Sequence, residues 1–245
     1  MSLLNLLAVL TVTVMTSLTG FCESSELSQA APQSSREDTR GAGAATAAAL
    51  PKDIDSQSLS RLPLVKREDM EELGKKLYDS IVSGQARSLA GLQGPFGIWL
   101  YSPAMAQPAL ALNYYLRYEA PLGRRLTELA ILVTARELDN QFEWTAHEPV
   151  ALREGLEPQI INVVKYRRGI SGLAEKEAVI ISFGRELFGK RKVSSQTFSR
   201  AQKVFGNQGV VDLAALMGDY ASITAIINAF DLQLRPDQKA LLPPP

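Results

Sequence analysis

The chain has 245 residues with 26 basic and 26 acidic side chains, so its formal net charge is zero. That balance excludes a strong whole-chain electrostatic footprint for nucleic acid or an anionic membrane surface. A hydrophobic content of 46% excludes wholesale disorder. There is one cysteine, Cys22, and one histidine, His147, which rules out an intramolecular disulfide, CxxC chemistry and a multi-histidine zinc site.

Residues 3–21, LLNLLAVLTVTVMTSLTGF, carry no charge and read as the apolar region of an export signal. Residues 1–22 are accordingly read as a signal peptide, with a retained membrane anchor as the other reading. The first places the protein outside the cytoplasm, periplasmic or secreted; the second tethers it to a membrane. Residues 23–60 are rich in Ser, Ala, Gln and Gly and hold no aromatic side chain. That composition predicts a flexible linker, because it buries too little apolar surface to offset chain entropy.

From 61 to 242 the pattern is helical and predicts one all-α domain. Over 67–84, Met70, Leu73, Leu77 and Ile81 share a face and Gly84 fits a C-cap. A helix is expected from Pro103 to Glu119, with Pro108 as a discordant residue. The stretch 121–140 is strongly apolar and ends near Asn140. Further helices are expected over 142–155, 157–169 and 174–190, and two more on either side of Gly206. No run alternates with period two between turn signals, so no sheet is expected. The basic KYRR run at 165–168 falls at a helix C-terminus, where cations complement the dipole. Residues 210–232 are apolar on more than one face, which suits burial in a core together with a subunit contact.

One constellation can carry chemistry. Glu143 and His147 are four residues apart and so lie on one helix face, with Trp144 supplying an apolar wall. Glu128 sits inside the apolar run LTELAILVTA of the preceding helix, where a carboxylate is costly unless paired or protonated. A short connection makes the two helices neighbours, so Glu128 can face the Glu143–His147 pair. Carboxylates beside an imidazole suit proton transfer near neutral pH. Arg124, one turn before Glu128, and Arg136, two turns after it, can each clamp a substrate carboxylate or simply pair with an acid. An i,i+4 Glu–His pair is also common helix decoration, and one His with two Glu lacks a diagnostic metal-ligand run.

The stretch Leu126 to Ile161, LTELAILVTARELDNQFEWTAHEPVALREGLEPQII, resembles the central motif of carboxymuconolactone decarboxylase-like proteins, in the AhpD-like helical superfamily. The resemblance rests on E-L-A-I-L at 128–132, E-W-x-x-H at 143–147 and Gly155 eight residues after the histidine. It implies an AhpD-like helical domain over 61–242. The superfamily's peroxidase branch needs a Cys-x-x-Cys pair at positions held here by Asn140 and Glu143. A family-level peroxiredoxin label is therefore not matched by thiol chemistry in this chain. The decarboxylase branch implies cofactor-free loss of CO2 from a small carboxylated lactone. His147 would be the proton donor, Glu128 and Glu143 its partners, and Arg124, Arg136 and Trp144 would contact substrate. The resemblance further implies no metal or cofactor, a small acidic substrate, and a homo-oligomer, trimeric or hexameric. A binding or scaffold protein of the same fold without catalysis is the competing expectation.

Overall fold

The computed structural model describes residues 50–244. The N-terminal segment read as signal or anchor lies outside them. Among the described residues there are eight α-helices and no strand, so the all-α expectation holds. They are α1 (Glu72–Val82), α2 (Pro95–Trp99), α3 (Pro103–Tyr114), α4 (Arg124–Glu137), α5 (Gln141–Arg153), α6 (Pro158–Lys165), α7 (Glu175–Gly184) and α8 (Ser195–Ala229).

Several boundaries follow from local chemistry. Proline at the first turn starts α2, α3 and α6, where its missing N–H costs nothing. Asn140 caps α5, its Oδ1 accepting from the Glu143 amide at 2.9 Å, and Ser194 caps α8 in the same way at 3.2 Å. The expected helix over 67–84 is split: Arg67–Asp69 forms a 3₁₀ turn and α1 begins at Glu72. The break expected at Gly206 is present as a glycine at φ 68° and ψ 178°, which divides α8 into two arms. Pro108 lies inside α3 without ending it.

Two helices finish in a wide π turn, Tyr115–Glu119 after α3 and Arg185–Gly189 after α7. In the first, the Ala120 amide donates to the Tyr115 carbonyl, five residues back, at 2.9 Å. The extra residue in the turn rotates the following side chains, and Leu116 and Arg117 both become buried.

The core is built by α4, α7 and the second arm of α8, which pack on one another. Leu129, Ile131, Leu132, Ile180, Ile181, Leu213 and Met217 are fully enclosed there. Helix α4 is buried from Leu126 to Arg136 on every face, which is how a central helix is distinguished from a surface one. The second arm of α8 is apolar and long enough by composition to cross a membrane, but more than half of that stretch is buried inside this body. Much of the multi-faced apolarity expected at a subunit contact is thus used within one chain.

The linker expectation needs correction at its C-terminal end. Residues 50–60 pack onto the domain: Ile54, Ser58, Leu59 and Ser60 are buried. The Gln233 amide donates to the Leu59 carbonyl at 2.8 Å and the Arg61 amide to Phe230 at 2.9 Å. Composition missed this because two apolar side chains and two backbone bonds to a distant segment are enough to anchor a polar stretch.

The approach of α2 to the turn before it is close at Gly97, where a Cβ would run into the Leu92 carbonyl. Backbone cannot rotate away as a flexible side chain can. Gly97→Ala is expected to destabilise by roughly 1–3 kcal/mol, read as a lower urea midpoint at unchanged m-value. A midpoint equal to that of the parent protein would show that the segment relaxes freely.

Candidate functional site

Helices α4 and α5 are joined by residues 138–140 and run antiparallel, since Arg124 meets Glu154 while Glu128 meets His147. The carboxylate of Glu128, fully buried on α4, lies 2.7 Å from His147 Nδ1 on α5. On the other side of the ring, Nε2 lies 3.4 Å from Glu143 Oε2 and 3.3 Å from the Tyr220 hydroxyl. Tyr220, on the second arm of α8, also meets the ring edge to face, with centroids 5.1 Å apart. All four side chains are buried.

Nε2 faces a cavity of about 30 Å3 lined by Asn113, Arg117, Phe142, Glu143, Ala146 and Tyr220 among others. A space of that size takes one or two water molecules. A second chamber, about 180 Å3, adjoins it. Leu89, Ala90, Phe142 and Ala146 line both and form the wall between them. Thr145, Val150, Arg153, Leu234 and Gln238 line the outer chamber.

The electrostatics assign different states to the two acids. Burial alone would raise the Glu128 carboxyl, but His147, Arg117 and Arg124 together hold it below its ordinary value. Glu128 is therefore the ionised partner that accepts a proton-bearing Nδ1–H, leaving Nε2 as the ring atom presented to the cavity. Burial pushes Glu143 up, against the pull of His147 and Arg117. Burial likewise drives the Tyr220 hydroxyl well up, so it remains a neutral phenol. Two carboxyls with opposite shifts thus flank one imidazole, an arrangement suited to acid–base chemistry.

The Glu143 shift has a consequence for stability. Its pKa is raised in the folded chain, so the folded state holds this proton more tightly than the unfolded state. The resulting stabilisation is complete below the unfolded value of about 4.3 and is lost as pH rises through the folded value. Glu128 acts oppositely: its contribution is present above about pH 4.3 and is lost as pH falls through its lowered value. In Glu143→Gln the fall in urea midpoint from about pH 4.3 upward should be shallower than in the parent chain. Superimposable midpoint curves would show that Glu143 is not held toward its neutral form.

The structure thus brings Glu128, Glu143 and His147 together as the sequence suggests; Arg124 and Arg136 each take the acid-pairing alternative, and the Trp144 wall expected beside the ring is corrected. Arg124 reaches Glu128 at 3.1 Å, but its donors are also used by Glu154 at 3.3 Å and the Arg117 carbonyl at 2.8 Å. It holds the site rather than opening onto the cavity. Arg136 binds the Pro243 carbonyl at 3.0 Å and Asp139 at 3.3 Å, away from the ring. Eight residues along a helix are about 12 Å of rise and about 80° of rotation, which carries it off the Glu128 face. Trp144 is enclosed and donates to Glu148 at 2.6 Å, with Lys165 above its ring at 5.6 Å. It packs the far side of α5. Lys165 of the basic run also donates to Glu148, and Arg167 pairs with Asp139, so that run is spent on intramolecular contacts.

Two residues escaped sequence reasoning. Tyr220 comes from 73 positions away, within a helix whose apolar pattern masks it. Arg117 is only 3% exposed, yet its Nε and Nη2 have no hydrogen-bond partner and its Nη1 reaches only the Arg87 carbonyl at 3.4 Å. Nothing in the sequence around Arg117, two residues before Glu119 at the end of the expected helix, sets it apart.

Glu128 and Glu143 sit on opposite ring nitrogens and cannot share one ion with His147; no group of three metal-competent side chains occurs among the described residues. The arrangement can take a proton from, or give one to, a small molecule at Nε2, with a cationic donor close by. Compared with protein-family models and with curated proteins, the sequence matches none.

Proposed function

We propose that the protein is a cofactor-free decarboxylase or related carbon–carbon lyase, acting by His/Glu proton transfer on a small carboxylated lactone or related acid. The observation that carries this reading is the clamped imidazole: Glu128 takes Nδ1–H at 2.7 Å and leaves Nε2 facing a small cavity. The similarity of Leu126–Ile161 to carboxymuconolactone decarboxylase-like proteins, with their AhpD-like fold, supports the substrate class. Export by the N-terminal apolar segment and assembly into a trimer or hexamer belong to the same reading.

In this mechanism the substrate enters as its carboxylate. The bond to the carboxyl carbon breaks, CO2 leaves, and the electron pair delocalises as an enolate onto the substrate's carbonyl oxygen. Protonated His147 delivers its Nε2 proton to carbon, and the Glu128 carboxylate stabilises the imidazolium before transfer. Glu143 or solvent returns a proton to the ring, so that one proton is consumed and one CO2 released per turnover. Acid–base assistance of this kind supplies roughly 10²–10⁴ in rate. The low-dielectric setting strengthens each of these contacts.

The test is CO2 release from a panel of γ-lactone carboxylic acids and β-keto acids. Release with at least one member, lost in a His147 variant, supports the reading; no release across the panel sinks it. A second reading, a non-catalytic ligand-binding or oligomeric scaffold, is favoured by the small size of the inner cavity. It predicts ligand-dependent rises in melting temperature without any CO2.

A further inference from the structure

Arg117 is the one buried cation near Nε2 whose donors are not spent. A guanidinium has five N–H groups in a planar fork suited to oxyanions. Leaving two of its nitrogens buried without acceptors costs free energy that native structures rarely leave uncompensated. The fork is nevertheless held in place. Tyr118 stacks beneath it with the Arg117 Cζ at 5.0 Å from the ring centroid, and the same ring carries Arg124 at 4.4 Å and Arg87 at 4.7 Å. The π turn fixes its backbone. Asn113, the neighbouring cavity residue, is itself engaged with Asp219 at 2.8 Å. The site therefore presents a preorganised guanidinium to the cavity, with Nη1 held long at 3.4 Å by the Arg87 carbonyl and with Nε and Nη2 unanswered by any protein oxygen.

We infer that Arg117 is the anion-binding residue of this site, holding a negatively charged ligand oxygen in the inner cavity beside His147 Nε2 while the rest of the ligand lies in the outer chamber. The dimensions set the division. About 30 Å3 accommodates a carboxylate-sized head and little more. The outer chamber, about 180 Å3, has room for a short tail, with Leu89, Phe142, Val150 and Leu234 as an apolar wall for it and Thr145, Arg153 and Gln238 as the polar remainder. A ligand spanning both must displace the Leu89 and Phe142 side chains; Leu89 is 42% exposed on the loop before α2, whereas Phe142 is buried. The ligand class is a monoanionic acid with a small planar head and a tail of a few carbons. The inference rests on the site reading above but not on turnover, since it concerns binding alone.

His147 is the only histidine, so selective ¹⁵N-histidine labelling of the full chain places a single reporter in the inner cavity. Acetate and hexanoate are the probes and acetamide is the neutral control. Acetate should move the Nε2 resonance saturably, hexanoate should do so at a concentration at least tenfold lower, and acetamide should leave it unmoved. In Arg117→Gln both acids should bind at least tenfold more weakly. Arg117→Lys, which keeps the charge and guards against misfolding, should fall between the two. An Nε2 signal indifferent to acetate, equal responses to acetate and acetamide, or undiminished binding in a folded Arg117 variant would each overturn the inference. Equal affinity for acetate and hexanoate would overturn the two-chamber part. Intact anion binding without CO2 release would leave the inference standing and sink only the proposed reaction.

Discussion

Replacing His147 with Asn is expected to lower turnover by roughly 10²–10⁴ while leaving the helical fold intact. The choice of Asn follows from the geometry. The Asn amide nitrogen falls near the position of the imidazole Nδ1, so it can still donate to the Glu128 carboxylate now at 2.7 Å from the ring. What it cannot replace is Nε2, the atom set between Glu143 and Tyr220 at the cavity. The variant thus removes the proton-transfer atom and keeps the buried acid paired. CO2 release reads the first effect, and far-ultraviolet circular dichroism with the urea m-value reads the second. A folded His147→Asn chain with the rate of the parent would remove His147 from the chemistry.

Glu128→Ala should be the most destabilising change in the site, by about 3–5 kcal/mol. The side chain is fully buried and answers both His147 and Arg124. Its removal takes from Arg124 one of its two acidic partners, and leaves the imidazole N–H without an acceptor. For a domain of this size the melting temperature should fall on the order of 10 °C. Glu128→Gln should lose less, because the amide oxygen still accepts from Nδ1–H. Exposed Glu72, which touches only Lys75 at 3.1 Å, is the control, and its replacement by Ala should stay within about 0.5 kcal/mol. A loss at Glu128 no greater than at Glu72 would show that the carboxylate is not an integral part of the core.

These two expectations differ in kind. Glu128 is argued as a group that positions and balances charge, so its loss should appear first in stability. His147 is argued as the group that meets the reacting atoms, so its loss should appear first in rate. The single-histidine reporter separates the two, because an Nε2 signal that still responds to acetate in Glu128→Gln marks an intact cavity.

The pairing of Glu128 with the Glu143–His147 turn was legible from spacing. An i,i+4 pair must share a helix face, a carboxylate inside LTELAILVTA must find a partner, and residues 138–140 are too few to let α4 and α5 separate. The same periodicity, applied with more care, places Arg136 and Trp144 off that face. Rotation of 100° per residue turns Trp144 away from Glu143, and eight residues turn Arg136 away from Glu128.

Local patterning is enough to make the described chain helical, to set most helix ends, and to bring its one imidazole within reach of two carboxylates. Those features are written in local hydrogen bonding, capping and the 3.6-residue repeat. That residues 50–60 belong to the packed domain, that Tyr220 closes the ring's far side and that Arg117 turns inward are set by long-range packing. Each of those depends on contacts between segments far apart in the chain, or on one extra residue in the turn after α3. No local pattern encodes such contacts, because burial is fixed by what the remaining helices leave uncovered.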